Sequence, residues 1–323
     1  MAAKPRRFNI AFGERDPPVK IAATDFDLEK TLNSGQVFHW ERTGHGFVGA
    51  IDDLPVYLEQ CGEVLKVASA SSRCLAEHAQ DAHATIRSYF ALDHPLKAIC
   101  RSFPRDAAMD AARDFCRGLR IIRQPKWECL ATFICSSMKQ VAHIRQISRA
   151  LRERFGEARK VDPPSPRLRR DCAITVHTFP SARRIARSSE KELRECALGY
   201  RAKNLLATAR LVANGDVDLN AMSILPDVDL RAALCRLPGV GAKIANCVML
   251  FAYERLGAFP IDVWIERVLK EKYFARKRKV TPRQLREFSA RYFGEHGGYA
   301  QQYLFHHARM RRMTKPEGRN PKE

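Results

Sequence analysis

The chain is short of acid. Its 36 aspartates and glutamates face 56 lysines and arginines, a net charge of +20. An imbalance of that size, spread along the whole chain, favours a polyanionic partner. It carries no sequence preference, because contacts to phosphate position a protein without specifying bases. Long apolar runs are also missing. None approaches a membrane span, and the basic stretch Met1–Arg7 is not followed by the apolar core of a signal peptide. A soluble, intracellular protein is expected. None of the 10 cysteines forms a Cys-x-x-Cys pair. Cys129, Cys135, Cys196, Cys235 and Cys247 sit among apolar residues and read as reduced, buried small hydrophobes. No internal repeat is found. What remains is a folding composition: 45% hydrophobic residues over 323 positions, enough for two domains and a sizeable core.

The most informative stretch is Cys235-Arg-Leu-Pro-Gly-Val-Gly-Ala-Lys-Ile-Ala245. An apolar helical segment, Leu230–Cys235, runs into Leu-Pro-Gly-Val-Gly. A second, Ile244–Tyr253, follows at once. Gly239 and Gly241 let the backbone turn tightly and approach a partner with no Cβ in the way. The amides opening the second helix then point outward, with the positive end of its dipole behind them. That is an anion site, and in so basic a chain the anion is a DNA phosphate. Lys243 stands in the first turn of this helix. Pro260-Ile-Asp262-Val263 places a carboxylate just before another helix.

Leu237-Pro-Gly-Val-Gly-Ala-Lys243, followed by Pro260-Ile-Asp262-Val263, resembles the helix-hairpin-helix glycosylase superfamily, in the branch with a lysine nucleophile. Asn33-Ser-Gly35-Gln-Val-Phe-His-Trp40 and Gly298-Tyr-Ala-Gln301-Gln-Tyr-Leu-Phe305 resemble 8-oxoguanine DNA glycosylase in particular. The similarity runs from about Phe26 to Arg311, with the motifs in the family's order. It implies an α+β chain: an N-terminal antiparallel sheet domain with helices, followed by an all-α helix-hairpin-helix glycosylase domain. It implies a bifunctional glycosylase and lyase that removes 8-oxoguanine and nicks the strand by β-elimination. The partner would be double-stranded DNA containing oxidised guanine, met by a monomer without a membrane, cofactor or metal. The iron–sulfur cluster of some members has no cysteine cluster after the hairpin to hold it. Such a protein would work on DNA, in the cytoplasm or nucleoid of a bacterium or the nucleus of a eukaryote.

Along the chain, residues 1–20 read as a basic tail, 21–117 as the sheet-containing domain, 118–312 as the helical domain and 313–323 as a polar tail. Asp25–Leu32 is a short amphipathic segment. From Val37-Phe-His-Trp40 to about Ala70, alternating apolar residues broken by Gly44, Asp52-Asp53 and Gly62 predict an antiparallel meander. Helical periodicity begins near Cys74 and runs to Cys116, with breaks at Pro95 and Pro104. Leu130, Phe133, Ile134, Val141, Ile144, Ile147 and Leu151 predict one long helix after Pro125. Residues 160–172 read as a loop, and nearly everything after residue 118 as helix. Ser189 and Glu192 form a capping box, Gly199 ends that helix, and further helices are expected over 201–212, 263–274, 282–293 and 299–312.

A glycosylase breaks a C–N bond at a sugar carbon through an oxocarbenium-like transition state, which a nearby carboxylate stabilises. A lysine amine can attack the same carbon and then form an imine. The resemblance gives these roles to Lys243 and Asp262. Alone, Lys243 reads equally well as a phosphate contact and Asp262 as an N-cap. To attack, the amine must shed its proton, which burial and neighbouring cations favour. The target base must be extruded from the duplex. The resemblance places Gly35, Cys247, Gln301 and Phe305 around it: the glycine's carbonyl accepting from a base N–H, Gln301 on the Watson–Crick edge, Phe305 and Cys247 sandwiching the ring. Without it, a turn glycine, a buried thiol and core positions are the commoner readings. Tyr200 and Arg201 match positions that wedge into the duplex and contact the base left behind. The family's asparagines are replaced by Met138-Lys139-Gln140, and an arginine by His143. Strict reading of an opposing cytosine is therefore not expected. Trp264 stands where the family has a phosphate-contacting histidine. Two alternatives remain: a glycosylase for another damaged purine, and a DNA-binding member without catalysis.

Overall fold

The computed structural model describes residues 19–69, 82–161, 173–277 and 279–313. Most of the tail expected over 1–20, the onset of periodicity near Cys74, most of the 160–172 loop and the residues after Met313 lie outside these.

The N-terminal half is a five-stranded antiparallel sheet. Its strands are β1 (Val19–Ala22), β2 (Glu41–Thr43), β3 (Gly46–Ile51), β4 (Leu54–Cys61) and β5 (Val64–Ser69), ordered β1-β5-β4-β3-β2. Helix α1 (Leu28–Asn33) separates β1 from β2 and is capped by Asp27, which accepts from Lys30 N at 2.8 Å. The meander accounts for β2–β5, and β1 was not foreseen. Val19 and Lys20 pair with Val67 and Lys66, so the expected boundary after residue 20 falls inside a strand. Ile21 of this strand is fully buried. It joins Trp40, Ile51, Val56, Leu58, Leu65 and Phe90 in the core of the sheet domain, each contributing about 1.5–3 kcal/mol by its burial.

The expected strand Val37–Trp40 is not one. Its neighbour Gln36 is engaged elsewhere. The Gln36 side chain donates to Arg120 O at 2.8 Å and accepts from Ile122 N at 2.8 Å, while Gln124 Nε2 donates to Gln36 O at 2.7 Å. The Gln36 side chain and carbonyl thus tie the start of this segment to the chain that enters the helical half. This clasp also fixes Gly35 next to that half.

After a helix over 82–89 (α2) come α3 (Leu96–Arg101), α4 (Ala107–Phe115), α5 (Lys126–Cys135) and α6 (Val141–Phe155). Leu96, Ile99, Phe103, Met109 and Ala112, on the N-terminal side of the expected division at 117/118, pack in the core of the helical half. The single helix expected after Pro125 is two. Ser136 Oγ turns back to Phe133 O at 2.8 Å, Met138 takes a positive φ of 52°, and Gln140 is extended. Apolar spacing could not reveal the break, because Ile134 and Ile144 on its two sides face the same core.

The later half is not wholly helical either. Strands β6 (Ala158–Val161) and β7 (Ile174–His177) form a two-stranded hairpin. Val161, Ile174 and Val176 cover Val48 and Tyr57 on the outer face of the sheet, which is why β3 is buried on both faces. Helices α7 (Ala182–Ala186) and α8 (Glu190–Leu193) follow, the latter with its Ser189–Glu192 capping box formed and continued by a wide turn to Leu198. Next are α9 (Arg201–Ala213), α10 (Asp227–Cys235), α11 (Ala242–Ala252), α12 (Val263–Tyr273), α13 (Pro282–Phe293) and α14 (Gly297–Met313). Cys129, Cys135, Cys196 and Cys247 are buried, but Cys235 is exposed. It stands beside Leu234, which with Leu230 forms the inward stripe of α10.

Candidate active site

Helices α10 and α11 are joined by Leu237-Pro-Gly-Val-Gly241. Gly239 has φ +80°, and a Cβ there would lie 2.8 Å from Asn204 Cβ, so both conformation and space demand glycine. Gly241 is extended, and a Cβ on it would meet nothing within 4 Å. Its bareness serves an approach from outside. No side chain caps α11, whose first internal bond is Ala245 N to Gly241 O at 2.9 Å. The preceding amides of this apolar, 11-residue helix have no side-chain cap, the arrangement that suits an anion at a helix start.

Lys243 is half-buried in the first turn of α11, its Nζ 5.3 Å from the centre of the Phe133 ring. Cys247, one turn on, is buried, and that burial pushes its thiol up to about 11 against the opposing pull of Lys243. It is a neutral wall. Asp262 caps α12, accepting from Trp264 N at 3.0 Å and Ile265 N at 2.9 Å. Burial raises its pKa above that of an ordinary aspartate. The Ile265 amide and the Lys243 charge work against the rise. The capping reading and the electrostatic reading of Asp262 are therefore compatible.

These three residues meet three others from distant elements. Gly35 follows α1 with φ +87°. Gln302 Nε2 on α14 donates to Ser34 O at 2.9 Å and holds that turn. Gln301 is buried, and its Oε1 has no donor among the described residues. Buried acceptors without donors are rare in folded proteins. Phe305, one turn further on, is partly buried.

Gly35, Lys243, Cys247, Asp262, Gln301 and Phe305 line one cavity, together with Phe133, Phe251, Pro260 and Gln302. The last four were not singled out from the sequence. Phe133 and Phe251 look like ordinary core positions there, and they stack on each other at 5.5 Å. The cavity holds about 40 Å³, well below the ~300–1,000 Å³ of a formed ligand pocket. A purine enters only if a wall moves, and Phe305 is the least buried aromatic in that wall.

The other expected contacts lie outside this cavity. Tyr200 is 58% exposed at the start of α9. Arg201 is buried beneath the Tyr200 ring and donates from Nε to Ser137 O at 2.7 Å. It braces the turn between α5 and α6 and does not project. That turn presents Met138, 91% exposed, with Lys139, Gln140 and His143 on the same outer surface. Trp264 is flanked by Arg267 and Arg312 at 5.9 and 5.6 Å.

An uncapped helix behind a glycine hairpin, with a lysine and a helix-capping aspartate sharing a cavity beside it, defines a helix-hairpin-helix protein of base excision repair. Residues 131–293 match the HhH-GPD superfamily of base excision DNA repair proteins, and the chain belongs to that superfamily. Within it, residues 18–130 match the N-terminal domain of 8-oxoguanine DNA glycosylase. The N-glycosylase/DNA lyase OGG1 of Arabidopsis thaliana is 28% identical over 302 residues, covering 89% of this chain and 79% of the relative. The N-glycosylase/DNA lyase of Saccharomyces cerevisiae is 29% identical over 276 residues, covering 78% and 70%. The 8-oxoguanine glycosylase/lyase of Clostridium acetobutylicum, solved with double-stranded DNA containing cytosine opposite 8-oxoguanine, superposes with a TM-score of 0.81. It is 27% identical, over 93% of this chain and 98% of that one.

Proposed function

We propose that this protein is a bifunctional DNA glycosylase and abasic-site lyase that excises 8-oxoguanine from duplex DNA inside the cell. The observation that carries the proposal is the convergence of Lys243, Asp262, Gly35, Cys247, Gln301 and Phe305 on one cavity beside the hairpin. The damaged base swings out of the stack and displaces Phe305. Gln301 and the Gly35 carbonyl read its polar edges, while Cys247 and Phe305 hold its faces. The Lys243 amine bonds to C1′ as the C1′–N9 bond breaks, and its pair leaves with the base, which takes up a proton. Asp262 stabilises the positive charge that builds on the sugar. The adduct opens to an imine on Lys243. Loss of a C2′ proton then expels the 3′-phosphate by β-elimination, and water releases the lysine. Gly239, Gly241 and the α11 amides grip the backbone. Tyr200 fills the gap in the stack, and Arg201 supports it from below.

Base release from a panel of duplexes, each with one lesion, tests this. Release of 8-oxoguanine with strand cleavage is expected. Release of alkylated purines alone, without cleavage, points to the water-using members of the superfamily. Binding without release points to a non-catalytic one.

The opposing base is expected to matter little. Met138, Lys139, Gln140 and His143 form an exposed surface, whereas a good bidentate base contact is worth about 1–3 kcal/mol. Excision rates opposite the four bases should differ by less than about tenfold, the ~1.4 kcal/mol of one such contact. Strong dependence on cytosine contradicts this.

A further inference from the structure

One cation beside the base pocket has no counterion among the described residues. Arg309 lies one turn after Phe305 on α14, its guanidinium 5.5 Å from the centre of that ring. Its Nη2 donates to the Asn33 carbonyl. Nε and Nη1 are sealed from solvent, and no described residue accepts from either. The charge felt most strongly is another cation, Arg145, whose Nη2 donates to Asn33 Oδ1 at 2.9 Å. Burial, then Arg145, lowers the Arg309 pKa to about 10. Charged donors left unmade in a buried place are costly, and a leucine would fill the space without that cost.

Position selects the acceptor. A Cβ built on Gly35 would lie 2.8 Å from Arg309 Nη1 and 3.0 Å from Phe305 Cε1. The cation, the glycine and the ring thus meet at the edge of the cavity. A backbone phosphate stays at the protein surface and does not reach sealed atoms. A base that displaces Phe305 uncovers them. The same cavity holds the unmade acceptor of Gln301. One lone acceptor and two lone donors complement a purine that carries both N–H groups and carbonyl oxygens.

We infer that Arg309 donates a charge-assisted hydrogen bond to a carbonyl oxygen, O6 or O8, of the extruded oxidised guanine, which makes it a further specificity residue of the pocket. This rests on the proposed substrate. The test compares Arg309→Leu with the wild type in two single-turnover reactions: base release from an 8-oxoguanine duplex, and cleavage at a preformed abasic site in the same sequence. The abasic strand has no base for Arg309 to touch. Base release is expected to fall about 10- to 100-fold, the worth of one charged hydrogen bond, with abasic cleavage unchanged. Arg309→Lys should restore part of the release. Equal loss in both reactions, as a merely structural role would give, or loss in neither, overturns the inference. The oxygen is assigned by binding, using Lys243→Gln protein with and without Arg309→Leu. The ligands are duplexes carrying 8-oxoguanine or 8-oxoadenine, the latter keeping O8 but bearing an amino group at C6. Weakening on both assigns O8, weakening on 8-oxoguanine alone assigns O6, and no weakening on either overturns the inference. If the wild type fails to release 8-oxoguanine, the proposed function itself is refuted.

Discussion

Replacing Lys243 by Gln is expected to abolish base release and strand cleavage together, each by ~10³-fold or more, as removal of a nucleophile does elsewhere. Both steps fall because one nitrogen serves both: it displaces the base and then carries the imine. Glutamine keeps the helix propensity and most of the length, so α11 and its neighbours should hold. DNA binding should change little. The phosphate grip comes from the bare hairpin and the uncapped α11 amides, and one lost lysine contact lowers the salt slope of binding by only about one. Single-turnover assays on lesion and abasic duplexes, with a salt titration of affinity, measure all three quantities. Loss of binding in step with loss of release would make Lys243 a phosphate contact only.

Asp262→Asn separates two roles that one side chain combines. Asparagine caps helices about as well as aspartate, so the bonds to Trp264 N and Ile265 N survive in kind and the protein stays folded. The negative charge is lost. Base release is expected to drop ~10²- to 10³-fold, the scale of one aimed electrostatic group in a site shielded from water. The pH profile gives a second sign. Asp262 must be ionised to stabilise the sugar cation, and burial raises its pKa above the ordinary 3.8. As pH falls, wild-type activity should therefore fail sooner than an exposed aspartate would allow. That limb should be absent from the Asn profile. A structural cap alone would leave both the rate and the limb unchanged.

Local signals marked helix ends well and long-range pairing poorly. The helix expected over 282–293 is α13, opened by a Thr281–Gln284 capping box with proline in its first turn. Ser189 and Glu192 open α8 in the same way. Strand β1 was hidden, because four residues beside a basic segment carry almost no periodicity and its partner, β5, comes more than forty residues later. The β6–β7 hairpin was hidden for a similar reason: its strands flank a proline- and arginine-rich stretch. The turn at Met138 was hidden by apolar spacing that continues on both sides.

The site was legible only in part. Glycine between apolar helices and an aspartate before a helix can be read from physics alone. Helical spacing puts Cys247 on one face with Lys243, but that Gly35, Gln301 and Phe305 share a cavity with them came from the family resemblance, since no period connects elements so far apart. Arg309 gave no sign at all. It looks like one more basic residue near the end of a basic helix, and only packing shows its Nε and Nη1 sealed and without an acceptor among the described residues.

The most direct measurement is borohydride reduction during reaction with an 8-oxoguanine duplex, followed by digestion and mass analysis of the trapped peptide. A covalent protein–DNA adduct mapped to Lys243 is the expected result. Base release without any adduct, or an adduct mapped to another residue, would contradict the claim that the Lys243 amine is the nucleophile.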